Sequence, residues 1–342
     1  MMAKTLMESE AFEAPAIALR QNAENTAVLA RIVSRFAAAP PPFVATCARG
    51  SSDHAATYGQ YMLAKTMGCA VTSFPPSLFS VYNARMQLQG VAFLVISQSG
   101  QSPDLLIAAE KAKQCGAFVV AIVNDTNSPL ATLADDVLPI HAGPEHSVAA
   151  TKSCIGAMAV LHHLSAVWSG AANMLSAQSA LPEVLSDALE ADWSAATAAM
   201  QPKSQAFIIG RGIGLSSAQE AALKLKETCV IQAAGFSAAE VKHGPMEIVE
   251  PGFPVLAALG EDAARPSVVD MSAQLAARGA DVFSVGGSVE GAASLPFPKM
   301  VWADLFPLAF LQAFYLFANA LSLARGYDPD NPVHLQKVTE TI

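Results

Sequence analysis

Two hydrophobic rhythms alternate along most of this chain. Short apolar runs at 43–47, 93–96, 119–123 and 137–140 are too brief and too uniformly apolar for amphipathic helices, and read as strands buried on both faces. A further short run at 70–74 reads the same way. Between the runs, apolar residues recur at helical spacing. Leu19, Val28, Leu29, Ile32 and Val33 predict one helix over 13–38, ended by Pro40-Pro41-Pro42, and further helices are expected over 53–67 and from Pro103. Pro103 is a favoured first helical residue, and Asp104 suits the positive end of that helix. A helix rich in Ala, Leu and His is expected over 149–168, with 170–182 as the start of a connector. Strand alternating with helix predicts a parallel sheet covered on both faces.

The second half repeats the plan. Strands are expected at 206–209, 255–259 and 281–285. Ala48-Arg49-Gly50 followed by Ser51-Ser52 corresponds to Gly210-Arg211-Gly212 followed by Ser216-Ser217, each after an apolar strand and before an alanine-rich helix. The expected architecture is α/β: two tandem doubly wound parallel-sheet subdomains, flavodoxin-like, over 1–185 and 186–342.

Composition narrows the function. Of 342 residues 52% are apolar, ample for buried cores, and 20 basic against 29 acidic residues give a formal charge of −9. That balance argues against nucleic-acid and anionic-membrane surfaces, so an anionic ligand would need local donors. The five cysteines, Cys47, Cys69, Cys115, Cys154 and Cys229, are scattered without a C-x-x-C pair. Neither zinc nor a disulfide framework is expected, and a reducing cytoplasm fits better. The N-terminus, acidic at Glu8, Glu10 and Glu13, does not read as a secretory signal. The apolar run at 305–324 approaches membrane-spanning length, but Pro307, Gln312 and Asn319 interrupt it, and it is expected to be a buried helix.

Two stretches carry chemistry. In the first, the strand at 206–209 breaks at Gly210-Arg211-Gly212-Ile213-Gly214, after which Ser216 and Ser217 can cap a helix running to near Gly235. A glycine turn before a capped helix offers unpaired N–H groups to an anion. On that helix Lys224 and Glu227 project from one face, and Glu240, Lys242 and His243 follow before Gly244-Pro245. Acid, amine and imidazole suit proton transfer on a small anionic substrate. Glu220, Lys224 and Glu227 also fit an ordinary solvated ladder of charges, and the two readings stand side by side.

The second stretch is the turn 97–102, where Ser97, Gln98, Ser99 and Ser102 sit between a strand and a helix. Hydroxyls, an amide and helix N–H groups can hold one phosphate there, although serines are also ordinary turn formers. With neither a Gly-Lys-Ser/Thr nor a G-x-G-x-x-G pattern, a phosphorylated small molecule fits better than a nucleotide. His141, His146 and the adjacent His162 and His163 show no ligand spacing, so no metal and no cofactor is expected.

Gly50-Ser51-Ser52, the Ser-Gln-Ser-Gly turn, Val148-Ala149-Ala150-Thr151-Lys152, Leu223-Lys224-Leu225-Lys226-Glu227 and Glu240-Val241-Lys242-His243-Gly244-Pro245 together resemble the sugar isomerase (SIS) superfamily. The isomerase half of the glucosamine-6-phosphate synthases is the nearest match, and the resemblance extends to residues 7–15 and to Lys337-Val338-Thr339-Glu340. It implies that Ser97, Gln98, Ser99 and Ser102 hold a sugar phosphate, with Ser51, Ser52 and Val148 contacting the sugar. Glu227 would move a proton between C1 and C2, Lys224 would assist at the C1 oxygen, and His243 would open the ring from a neighbouring subunit of a homodimer. Lys337 would close over the site and can form a Schiff base with a ketose. On residue type alone, Lys337 is equally a solvated tail lysine and His243 a packing histidine.

Only about 40 residues precede the first strand, so glutamine is not the expected ammonia source, and the ending Leu335-Gln336-Lys337-Val338-Thr339-Glu340-Thr341-Ile342 resembles shorter amino-sugar-phosphate deaminases. Gln101 stands where the synthases carry an acid. The implied function is a glucosamine-6-phosphate deaminase yielding fructose 6-phosphate and ammonia. The same parts would serve galactosamine 6-phosphate or a fructosamine phosphate, or a sugar-phosphate sensor without turnover.

Overall fold

Short apolar runs form most of the strands, and proline, serine and glycine punctuate them. The computed structural model describes residues 4–337. The chain opens with α1 (Leu6–Ala11), capped by the Thr5 hydroxyl, which accepts the Glu8 amide at 3.0 Å. The single helix expected over 13–38 is two, α2 (Ala14–Glu24) and α3 (Thr26–Ala38). Asn25 stands at the break, and its amide donates to Pro139 O at 2.9 Å. There follow β1 (Val44–Cys47), α4 (Gly50–Met67), β2 (Val71–Ser73), the one-turn α5 (Ser77–Ser80), β3 (Ala92–Ser97), α6 (Pro103–Gln114), β4 (Phe118–Val123), α7 (Pro129–Leu133) and β5 (Asp136–Pro139). Helix α6 begins at Pro103, as its sequence predicts.

Next come α8 (Lys152–Ser169) and α9 (Ala172–Ala188). The stretch 170–182, expected as connector, is therefore mostly helix, and Pro182 is accommodated inside it. The chain continues through α10 (Ser194–Met200), β6 (Gln205–Gly210), α11 (Gly214–Cys229), β7 (Gln232–Ser237), β8 (Pro254–Ala258), α12 (Arg265–Ala277), β9 (Asp281–Val285), β10 (Ala293–Leu295) and α13 (Phe306–Ala324), with short 3-10 turns at Glu240–His243 and Pro245–Ile248.

Helix α11 stops at Cys229 and does not reach Gly235. Val230 takes a left-handed conformation (φ 52°) and turns the chain into β7, a strand the helical pattern concealed. Gly235 lets β7 pass close over that helix, since a Cβ there would lie 2.6 Å from Ala218 O.

The strands make two five-stranded, all-parallel sheets, in the orders β2-β1-β3-β4-β5 and β10-β9-β8-β6-β7. Numbered within each half, both run 2-1-3-4-5, the flavodoxin-like order of a doubly wound sheet. Two tandem α/β subdomains are thus the architecture. One compact unit gathers Ala16–Glu145 and Lys152–Leu181, with Gln336 and Lys337; the other gathers residues 4–15, His146–Thr151 and Pro182–Leu335.

Each unit has its own core. In the first, Phe74 packs on Phe79 and Phe93 with ring centroids 5.0 and 5.2 Å apart, over a sheet face of Ala45, Val95, Val119 and Ala121. In the second, Phe207 is edge-on to Phe236 and Phe253, against Val255, Met271 and Leu275. Burying each such side chain contributes about 1.5–3 kcal/mol. Helix α13 is long and apolar enough to cross a membrane, yet 89% of its apolar window is buried in the protein. It packs on α11 and α1, and Gln312 and Asn319 take hydrogen bonds there, to Ala11 O at 2.8 Å and from the Thr5 hydroxyl at 2.7 Å. Residues from Val338 onward, which carry most of the deaminase-like ending, lie outside the described residues.

Candidate active site

In the first sheet the chain leaves β1 for β2 on one side and returns for β3 on the other. A crevice opens at the carboxyl ends of β1 and β3, where such folds take ligands. A cavity of about 310 Å³ lies there, lined by Arg49, Ser52, Ser97, Gln98, Ser99, Ser102 and Lys337 among others. The turn that shapes it is held from within. The Gly100 amide donates to the Ser97 hydroxyl at 3.1 Å and the Gln101 amide to that of Ser99 at 3.3 Å. Gly100 is required: its φ is +63°, and a Cβ would fall 2.2 Å from the Ser128 hydroxyl. Ser102 stands at the N-cap of α6 but makes no side-chain cap bond, which leaves its hydroxyl to the cavity.

Helices α4 and α6 both begin at this cavity, adding first-turn N–H groups and the positive ends of two helix dipoles. Ser51 and Ser52 fall within the first turn of α4, which starts at Gly50 rather than at Asp53. Ser52 lines the cavity; the Ser51 carbonyl accepts from the Cys154 thiol at 3.5 Å. Arg49 was quoted in the sequence without a role. Its guanidinium donates to the buried Asp104 carboxylate at 2.8 Å, fixing a cation at the cavity wall. Burial holds the thiol of Cys47, the last residue of β1, far above its ordinary range, so it is no nucleophile. Hydroxyls, amide, guanidinium and two helix ends make a site suited to a phosphate.

Lys337 is half-buried at this cavity, and its amine donates to Glu145 at 3.0 Å. It is not a freely solvated tail lysine. Glu145, which sequence reasoning passed over, is one acid in an irregular loop; only its long-range partners mark it.

The other unit carries the acid–base groups. Glu220 and Lys224 on α11 are buried, at 0% and 1% side-chain exposure, which rules out a solvated charge ladder. The Lys224 amine lies 3.5 Å from Glu220 and bonds the Glu227 carboxylate, while the Tyr315 hydroxyl donates to Glu220 at 3.1 Å. A buried ammonium needs such company. Of the three, Glu227 alone is partly exposed, at 19%. Ser216 and Ser217 do not cap α11 as expected, because the helix already begins at Gly214. Both are buried inside the first turn of α11, and their hydroxyls donate back to Ile213 O at 2.7 Å and Gly214 O at 3.0 Å.

Two further predicted residues stand on separate segments of this unit. His243 is exposed at the end of a 3-10 turn before Gly244 (φ 129°), so it is not a packing histidine here. Val148 lies on His146–Thr151, a segment pinned at both sides: the Val148 amide donates to Asp330 O at 3.3 Å and the Ser147 amide to Glu10 at 3.2 Å. Of the histidines in α8, His162 pairs with Gln178 at 2.7 Å, and burial with its neighbour His162 pushes His163 down to about 4.

These features define a tandem α/β protein with a cavity suited to a small anion in one unit. The chain belongs to the SIS domain family, whose model matches residues 44–166 and 199–294. It is 35% identical over 307 residues to the isomerizing glutamine–fructose-6-phosphate aminotransferase of Aeropyrum pernix, covering 84% of this chain and 49% of that one. The chain spans about half the length of the curated relatives it matches. A crystal structure from Silicibacter pomeroyi, titled a candidate phosphosugar isomerase, superposes with a TM-score of 0.92 at 40% identity, covering 96% of this chain and all of that one. The C-terminal domain of a Francisella tularensis glucosamine-fructose-6-phosphate aminotransferase shares the fold, with a TM-score of 0.84 at 21% identity over 96% of this chain and 98% of that one.

Proposed function

We propose that this chain is a phosphosugar isomerase of the SIS family, and that its reaction is the deamination of glucosamine 6-phosphate. The observation that carries this reading is that one chain holds both a phosphate-sized hydroxyl crevice, in one unit, and a buried lysine–carboxylate cluster, in the other. The names of the isomerizing aminotransferases and of the phosphosugar isomerase relative support the same chemistry.

In this reading Ser97, Gln98, Ser99 and Ser102 hold the phosphate, and Ser51, Ser52 and Val148 contact the sugar. His243, donated across a homodimer, protonates the ring oxygen and opens the ring; its exposure within its own unit is in keeping with that. Glu227 removes the C2 proton of the open amino aldose and returns it to C1, while Lys224 stabilises the charge developing on the C1 oxygen. The product ketimine adds water at C2 and expels ammonia, leaving fructose 6-phosphate. Lys337 lies at the sugar-phosphate cavity and closes the site. The carboxylate suits a base because it alone of the α11 cluster reaches solvent.

Ammonia release is measured on glucosamine 6-phosphate, galactosamine 6-phosphate and a fructosamine 6-phosphate. Turnover of the first ahead of the others supports the reading. Preference for another substrate keeps the isomerase and replaces the substrate. Binding without turnover of any of them points to a sensor.

A further inference from the structure

We propose that Glu145 is the positioning residue for Lys337, holding its amine at the serine-turn cavity by tying the tail to the amino end of α8. The inference rests on the phosphosugar reading for its kinetic consequence, but its structural part stands alone. The Glu145 side chain is fully buried, and its two oxygens are distributed between two tasks. One oxygen accepts the Ser153 amide at 3.1 Å; the other accepts the Ser153 hydroxyl at 2.7 Å and the Lys337 amine at 3.0 Å. Ser153 is the second residue of α8, so the carboxylate sits against the positive end of an 18-residue helix. A carboxylate fixed in this way is a rigid post.

Lys337 needs one. The residues that lead to it are exposed, Val333 at 89% and Leu335 at 43%, and offer the tail little packing. A lysine has four rotatable bonds, and leaving it to search for its place at each turnover would dilute its effect. Lys337 lines the same cavity as Ser97, Ser99 and Ser102, so the carboxylate that fixes the amine also fixes it relative to the phosphate groups. Removing the charge at 145 should release the amine while leaving the serine turn intact.

The test compares wild type, Glu145→Gln and Ser153→Ala in two measurements. Limited trypsin digestion, followed by mass spectrometry, reads cleavage after Lys337. Glu145→Gln is expected to raise that rate about tenfold while other sites cleave as before, and Ser153→Ala, which keeps the ion pair, to leave it unchanged. In steady-state kinetics Glu145→Gln is expected to lower kcat by about tenfold to a hundredfold, with KM changed less. Should Glu145→Gln fail to fold, Glu145→Asp retains the charge with a shorter reach, and cleavage after Lys337 should rise about threefold. Unchanged cleavage after Lys337 in the position-145 variants, or the same increase in Ser153→Ala, overturns the proposal. A wild type that turns over no phosphosugar removes the proposed function, while the trypsin result still decides whether Glu145 places Lys337.

Discussion

The two halves share one strand order, yet the same junction does different work in each. After β1 the chain passes Arg49-Gly50 into α4, and the first turn of that helix faces a hydroxyl-lined cavity. After β6 it passes Arg211-Gly212 into α11, where the corresponding serines are buried and bond their own turn. This second helix carries instead a lysine between two carboxylates. The difference lies in where the polar groups are spent. Ser52 and Ser102 line a cavity at two helix starts; Ser216 and Ser217, consumed locally, harden the start of a helix whose later turns carry a buried lysine–carboxylate cluster.

The comparison breaks most visibly at Lys224. Lys224→Met should cost about 3–5 kcal/mol of stability in urea unfolding, because it leaves the buried Glu220 without its cation. A neutral effect would contradict a stabilising Lys224–Glu220 pair. On the other side, His163 gives the first unit a pH dependence. Its folded pKa of about 4 lies below the ordinary value of 6.5, so its contribution is complete above pH 6.5 and is lost as pH falls toward 4. The loss across that window should be about 3 kcal/mol, and His163→Phe should flatten it in denaturation curves taken between pH 4 and 7.

Ser102→Ala sharpens the crevice itself. Since the hydroxyl makes no helix cap bond, unfolding should be unchanged within about 0.5 kcal/mol while KM for a phosphosugar rises about tenfold. The smallest effect is expected at Val230. A β-branched residue at φ 52° is strained, so Val230→Gly should raise the melting temperature, stabilising by about 1 kcal/mol.

Much of this was legible in the chain. Buried parallel strands announce themselves as apolar runs, so β9 fell at 281–285 as its pattern requires, and α6 began at its proline. β7 was hidden because Gln232-Ala233-Ala234-Gly235 lacks β-branched residues, and Val230 and Ile231 extend the helical rhythm past its true end. A left-handed valine is what stops that helix, and no local rule predicts one. α9 was missed because serine, glutamine and Pro182 read as connector, although alanine and leucine carry it as helix. The serine turn could be read locally because strand, hydroxyls, proline and acid are adjacent in sequence. Glu145 could not, because its partners at 153 and 337 are brought to it only by the fold.

The claim that Glu227 moves a proton on a phosphosugar is tested most directly by following the C2 hydrogen. Glucosamine 6-phosphate deuterated at C2 is incubated in ordinary water with wild type and with Glu227→Gln, and loss of label is read by NMR. Wild type should remove the deuterium from C2, to C1 of the product or to water, and the variant should do so about a thousandfold more slowly while still binding the sugar phosphate. Equal loss from C2 with both proteins would contradict the account.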